Sequence, residues 1–205
     1  MSIKKAVNDI FGGMDVYLFD QLAKGRLDNC RSVLDAGCGR GRNLAYLIRA
    51  GVKAYGVDAN PDAVIVSRKL ARKLIADYPE SNFCVAKLDA LPFSDGAFDF
   101  VICNAVLHFA ENTDHFNAML NELWRVLTHG GTLFARLASS IGLDGKATSL
   151  GNGRFALPDG SERFLVSEDD LLEATSRIGG KLLDPIKTTN VQNMRCMTTW
   201  CIEKL

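Results

Sequence analysis

One short stretch constrains this chain more than any other: Val33 to Asn43, which reads V-L-D-A-G-C-G-R-G-R-N. An apolar run ends at Leu34, Asp35 follows, and glycines stand at 37, 39 and 41. Beyond Asn43 the apolar spacing turns helical, with Leu44, Leu47 and Ile48 on one face. The order is strand, glycine turn, helix. Glycine serves where the backbone takes positive φ or must approach a ligand closely. Free N–H groups at the start of the following helix suit a polar or anionic ligand group. Any tight strand-to-helix turn can use glycine, so the turn alone is weak evidence. Two acids sharpen it: Asp35, two places before Gly37, and Asp58, which closes the next apolar run 21 residues after that glycine.

Those acids separate two ligands. A dinucleotide fingerprint needs G-x-G-x-x-G and a later acid for the ribose. Here Arg42 stands where the third glycine belongs, and Asp35 would repel a pyrophosphate. A ligand with a cation near the turn and a ribose further on fits better, and S-adenosylmethionine has an ammonium, a sulfonium, a ribose and no phosphate.

The rest of the chain alternates. Residues 31–36 and 53–58 read as strands around a helix over 42–50. Asn60-Pro61 caps a helix reaching Ile75, and strands follow over 82–87 and Phe98–Asn104. A helix over 113–127, ended by Gly130-Gly131, leads to a strand over Thr132–Leu137. This alternation predicts an α/β fold with a mostly parallel sheet and helices on both faces. Ligands of such sheets sit at the carboxyl ends of the strands, and Asp35, Asp58, Asp89 and Asn104 all lie there. Residues 1–29 read as two short helices, either packed on the sheet edge or forming a helical flap over the cofactor with Tyr17 or Phe19 against it. Residues 139–166 interrupt the alternation as an inserted loop and hairpin. A capping box at Ser167 and Asp170 then opens a last helix, and strands over Lys181–Thr188 and Cys196–Glu203 close a single domain, 1–205.

The glycine turn, D-A-L-P-F and F-D-F-V-I-C-N-A-V-L-H-F resemble the small-molecule branch of class I S-adenosylmethionine-dependent methyltransferases. The segment G-C-G-R-G-R-N is also similar to tellurite-resistance methyltransferases. The resemblance covers roughly residues 31–138. It implies a Rossmann-like three-layer fold around a seven-stranded sheet whose last strand is antiparallel. It also implies that Asp35, Gly37 and Gly39 line the methionine moiety. Asp58, with Ala59 beside it, would hold the ribose hydroxyls; Asp89 would meet the adenine amine with Ala90 next to it, and Asn104 would offer its backbone to the ammonium end. No N-P-P-[FYW] tetrapeptide follows strand four, unlike the branch that methylates nucleic-acid amines.

Composition sets the remaining bounds. Lys plus Arg and Asp plus Glu each number 24, so the net charge is zero and nothing argues for nucleic acid or an anionic membrane. The amino terminus lacks an apolar signal region, and the longest apolar stretch, Phe98–Ala110, is too short to cross a bilayer. A cytoplasmic protein is expected. Its six cysteines form no C-x-x-C, which suits buried reduced thiols and no metal. The expected partner is a small-molecule acceptor, and the oligomeric state is left open.

No catalytic residue stands out. His108, just past strand four, faces the methyl-transfer pocket or serves as a hydrogen-bonded structural histidine, while His115 and His129 read as surface helix residues. Arg136 sits in the apolar run L-F-A-R-L-A, where an unpaired charge is costly to bury. Arg136 and Arg195 are therefore expected to point into the pocket and favour an anionic or strongly polar acceptor. Arg154 and Arg163 are expected to be surface residues or to pair with Glu162, Asp159 or Glu168. Two rival functions remain: a nicotinamide-dependent oxidoreductase, and a non-catalytic S-adenosylmethionine-binding module.

Overall fold

The computed structural model describes residues 2–205. Two N-terminal helices, α1 (Ile3–Phe11) and α2 (Val16–Ala23), precede the first strand. The central alternation is β1 (Ser32–Ala36), α3 (Leu44–Arg49), β2 (Lys53–Asp58), α4 (Pro61–Leu74), β3 (Phe83–Val85), β4 (Phe98–Asn104), α5 (Thr113–Val126) and β5 (Leu127–Ala138). There follow β6 (Thr148–Gly151), β7 (Arg154–Ala156), β8 (Glu162–Phe164), α6 (Glu168–Arg177), β9 (Gly180–Leu182), β10 (Lys187–Val191) and β11 (Arg195–Lys204).

The main sheet runs β10-β11-β5-β4-β1-β2-β3, with β9 also paired to β11. The strands β3, β2, β1, β4 and β5 are parallel, and β11 enters antiparallel to β5. This is the expected three-layer α/β fold, with eight strands rather than seven. One face buries Leu34, Val101, Leu133 and Trp200 with α5 and α6. The other buries Val33, Phe100, Ile102 and Phe134 with α2, α3 and α4.

The starts of α2, α4 and α6 carry side-chain caps. Asp15 caps α2 and Asn60 caps α4 ahead of Pro61, while Ser167 and Asp170 form the complete capping box of α6. Several boundaries differ. Helix α5 ends at Val126, and β5 starts at the next residue and runs through Gly130-Gly131. The ammonium of Lys204 donates to the carbonyls of Trp124 and Leu127 at 2.6 and 2.7 Å, so a side chain, not the glycines, closes the helix. His129 therefore lies on a strand rather than a helix. The expected strand over Lys181–Thr188 is two, β9 and β10, separated at Pro185, which has no N–H for the ladder. The hairpin is a three-stranded sheet, β6-β7-β8, because Thr148–Gly151 joins it.

Candidate active site

The glycine turn is held together by its own backbone. The N–H groups of Gly37 and Cys38 both donate to the Val57 carbonyl at 2.8 Å, and that of Gly41 donates to Cys38. Gly39 N–H donates to Asp58 Oδ2 at 2.8 Å, and Asn60 N–H to Asp58 Oδ1 at 2.9 Å. Within the turn, the N–H groups of Gly37, Cys38, Gly39 and Gly41 are thus already engaged. Asp58 stands, half-buried, at the carboxyl end of β2, fastening the turn to the next loop while keeping lone pairs for other donors.

Asp35 sits at the end of β1 and is fully buried. Among the described residues, neither of its carboxylate oxygens has a hydrogen-bond partner. Burial pushes its carboxyl up to about 7, against Arg42 and the Asn43 amide, which favour the charged form, and with Asp58, which disfavours it. Asn104, at the end of β4, is equally short of partners: both its amide atoms are buried and unpaired. The register puts these groups on one line. Asp35 pairs with Ile102, Asn104 with Arg136, and Arg136 with Thr199. In-register residues and i, i+2 neighbours share a face. A row of polar side chains therefore crosses β1, β4, β5 and β11, and Arg136 Nε and Thr199 Oγ1 in it are also buried without partners.

Helix α2 begins over this row. Asp15 Oδ2 accepts from Arg136 Nη1 at 3.1 Å, the Asp15 N–H donates to Asn43 Oδ1, and the Arg136 guanidinium lies 4.8 Å from the Tyr17 ring centre. Arg136 thus has the carboxylate partner that its apolar setting demanded. Phe19 turns away and packs on Phe11. Past Asn104, Ala105 takes a left-handed φ of 64°, its N–H donating to Arg136 O at 2.7 Å. That bend brings Val106 over Gly37, where any Cβ would collide with it.

Gly39 is different: φ is 53°, and a Cβ there would meet nothing within 4 Å. A ligand lying along the turn would fill that space. Gly39→Ala should therefore keep the fold, with strain of about 1–2 kcal/mol lowering the melting temperature by a few degrees, as expected at about 2–4 °C per kcal/mol. Cofactor affinity should fall by more than about tenfold, at about 1.4 kcal/mol per decade. Calorimetry beside a thermal melt checks both, and unchanged affinity would place the ligand elsewhere.

Ala59, Asp89 and Ala90 are exposed, with Asp89 3.8 Å from His115. Asp99, at the opposite end of β4, serves the backbone, accepting from the N–H groups of Arg31 and Ser32.

A cavity of about 270 Å³ opens beside the polar row, and its walls bring together His108, Arg136 and Arg195. The inserted segment contributes Leu157, Asp159, Ser161 and Arg163, and the terminal strands contribute Val191 and Met197. Arg195 donates to Asp159 at 3.4 Å. Arg154 pairs with Glu162 as expected, but Arg163 does not pair: it lies 5.0 Å over the Phe109 ring and lines the cavity. His108 is buried, and its Nδ1 accepts from the Ala138 N–H at 3.2 Å. Burial first, and then Arg163, push its imidazole down to about 4, so at neutral pH it is uncharged. With Nδ1 occupied as an acceptor, the proton sits on Nε2. That tautomer makes His108 a donor, which disqualifies it as a resting general base. A larger cavity, of about 690 Å³, lies between α5, α6 and the small sheet and holds none of the candidate site residues read from the sequence. Among the described residues no cluster suits a metal ion, and no helix is long and apolar enough to cross a membrane.

Residues 34–135 match the methyltransferase domain family. A demethylmenaquinone methyltransferase of Thermus thermophilus is 36% identical over 107 residues, which is 50% of this chain and 45% of that protein. An arsenite methyltransferase of Aquipseudomonas alcaligenes is 31% identical over 121 residues, 55% of this chain and 34% of its own length. The chain thus spans less than half the length of these relatives. Among solved structures, a SAM-dependent methyltransferase of Methanosarcina mazei superimposes with a TM-score of 0.71 at 19% identity, covering 90% of this chain and 97% of that one.

Proposed function

We propose that this chain, which belongs to the class I S-adenosylmethionine-dependent methyltransferases, transfers a methyl group from S-adenosylmethionine to a small-molecule acceptor. One observation carries the reading: Asp35, fully buried, with neither carboxylate oxygen partnered. A buried carboxyl with no hydrogen bond to either oxygen is kept ionised best by a nearby cation, and the cofactor brings an ammonium and a sulfonium. Asp58 would hold the ribose hydroxyls, Gly39 would leave room along the turn next to Gly37, whose own side-chain space Val106 takes, and Asn104 would meet the methionine end. Asp89 and Ala90 would flank the adenine.

When bound, the cofactor supplies a methyl group already activated by its sulfonium. The protein's part is then to align donor and acceptor and keep water out. In this reading the start of α2, held by Asp15 to Arg136 and Asn43, covers the methyl-donor end. Residues 139–166 and the terminal strands roof the acceptor cavity. The balanced charge weighs against a nucleic-acid acceptor. A nicotinamide dinucleotide fits poorly, since its pyrophosphate would meet Asp35 and find the N–H groups of Gly37, Cys38, Gly39 and Gly41 already donating inward.

Titration calorimetry with S-adenosylmethionine, S-adenosylhomocysteine and NAD tests this. The two adenosyl compounds should bind and NAD should not. Binding of NAD with no response to S-adenosylhomocysteine would overturn the assignment. Release of labelled methyl to a small-molecule panel would separate turnover from binding alone.

A further inference from the structure

The walls of the smaller cavity supply donors and positive charge, with almost nothing to take a proton. Arg136, Arg163 and Arg195 line it with His108, Asp159 and Ser161. Asp159 is the one carboxylate among them, and it is already engaged. Ser161 Oγ and Ser161 N–H donate to its Oδ1 at 2.6 and 3.0 Å, and Arg195 donates to its Oδ2. The Ser161 hydroxyl proton is likewise spent. Arg163 has no carboxylate partner among the described residues; its Nη1 donates only to the Glu162 carbonyl. Arg136 keeps a buried Nε without an acceptor, although Asp15 takes its Nη1. The His108 ring, held by the Ala138 N–H, offers Nε2–H.

Resting on the cofactor reading above, we infer that the acceptor is a small carboxylate or comparable oxyanion, gripped by Arg163, Arg195 and the His108 Nε2–H and methylated on its own charged oxygen. An alcohol acceptor would have to lose a proton to a base, and this cavity presents none. An oxyanion needs none. A lone pair of its oxygen forms the O–CH₃ bond as the S–CH₃ bond of the cofactor breaks. The sulfur keeps that electron pair and becomes a neutral thioether, and no proton moves. Guanidinium forks suit this ligand, since they match planar oxyanions with paired donors. The volume, about 270 Å³, lies just below the range common for drug-sized ligands, which restricts the acceptor to a small molecule. Arg136 bridges the two halves, with one nitrogen on Asp15 and another left over for a ligand oxygen.

The test uses three probes of one shape: benzoate, benzamide and benzylamine, titrated calorimetrically into protein saturated with S-adenosylhomocysteine. Benzoate should bind at least about tenfold more tightly than benzamide, and benzylamine more weakly still. Arg163→Met and Arg195→Met should each cut that preference at least about fivefold, while affinity for S-adenosylhomocysteine stays within about twofold. Equal binding of the probes, no binding of benzoate, or an undiminished preference in both variants overturns the inference and leaves the cofactor reading standing. If S-adenosylhomocysteine itself fails to bind the parent protein, the cofactor reading falls first and takes this inference with it.

Discussion

Asp35→Asn should abolish the pH dependence of cofactor binding and weaken it by at least about a hundredfold at pH 8. Losing one partner of a buried ion pair costs about 3–5 kcal/mol, and two decades of affinity correspond to about 2.8 kcal/mol. With Asp35 facing the cofactor as proposed, only its ionised carboxyl would attract the cofactor's cations. With that carboxyl pushed up to about 7 by burial, affinity should rise about tenfold between pH 6 and pH 8 and then level off. Stability moves the other way. The folded carboxyl titrates at about 7, above the ordinary 3.8 of a carboxyl in water, so between those two values the folded state holds a proton that the unfolded state has lost. Its contribution is whole below about pH 3.8 and is lost as pH rises to about 7, up to about 4 kcal/mol in all. The ligand-free asparagine variant should accordingly melt above the parent at pH 8, with the gap closing toward pH 4. Binding that keeps the same slope in the variant would mean that another group titrates.

Asp58→Ala should weaken cofactor binding by at least about tenfold and leave the domain folded. Charged hydrogen bonds contribute about 1.5–3 kcal/mol each, and this carboxylate would make them to the ribose while already accepting from Gly39 and Asn60. The alanine variant loses the ribose contacts and frees the turn at once. Asp58→Asn, which keeps one acceptor oxygen, should fall between the two. An unchanged dissociation constant in a folded Asp58→Ala protein would remove Asp58 from the cofactor site.

What the sequence displayed was local. The glycine turn, the cap at Asn60 and the Ser167 capping box each draw on a few adjoining residues, and all stand where they were read. The apolar run around Arg136 announced that this charge needs a partner. It did not say that the partner is Asp15, 121 residues away in the chain. The His108 tautomer depends on the Ala138 N–H, and the end of α5 depends on Lys204. Arg163 was expected to be a surface or paired charge, because its place over Phe109 follows from how the small sheet docks. Side chains reporting on distant backbone leave no trace in spacing or periodicity.

The strand order carries a consequence for assembly. β11 lies between β10 and β5, so β10 joins the sheet only through a strand made after it. Chains emerge amino end first. The strands that bear Asp35 and Asp58 can pair with their parallel neighbours while the later residues are still being added, but the wall bearing Arg195 and Met197 must wait for β11 to insert. That insertion closes contacts of long sequence separation, the slow kind. If Asp35 and Asp58 hold the cofactor as proposed, the nascent protein should therefore gain its cofactor contacts before it has a chamber for the second reactant.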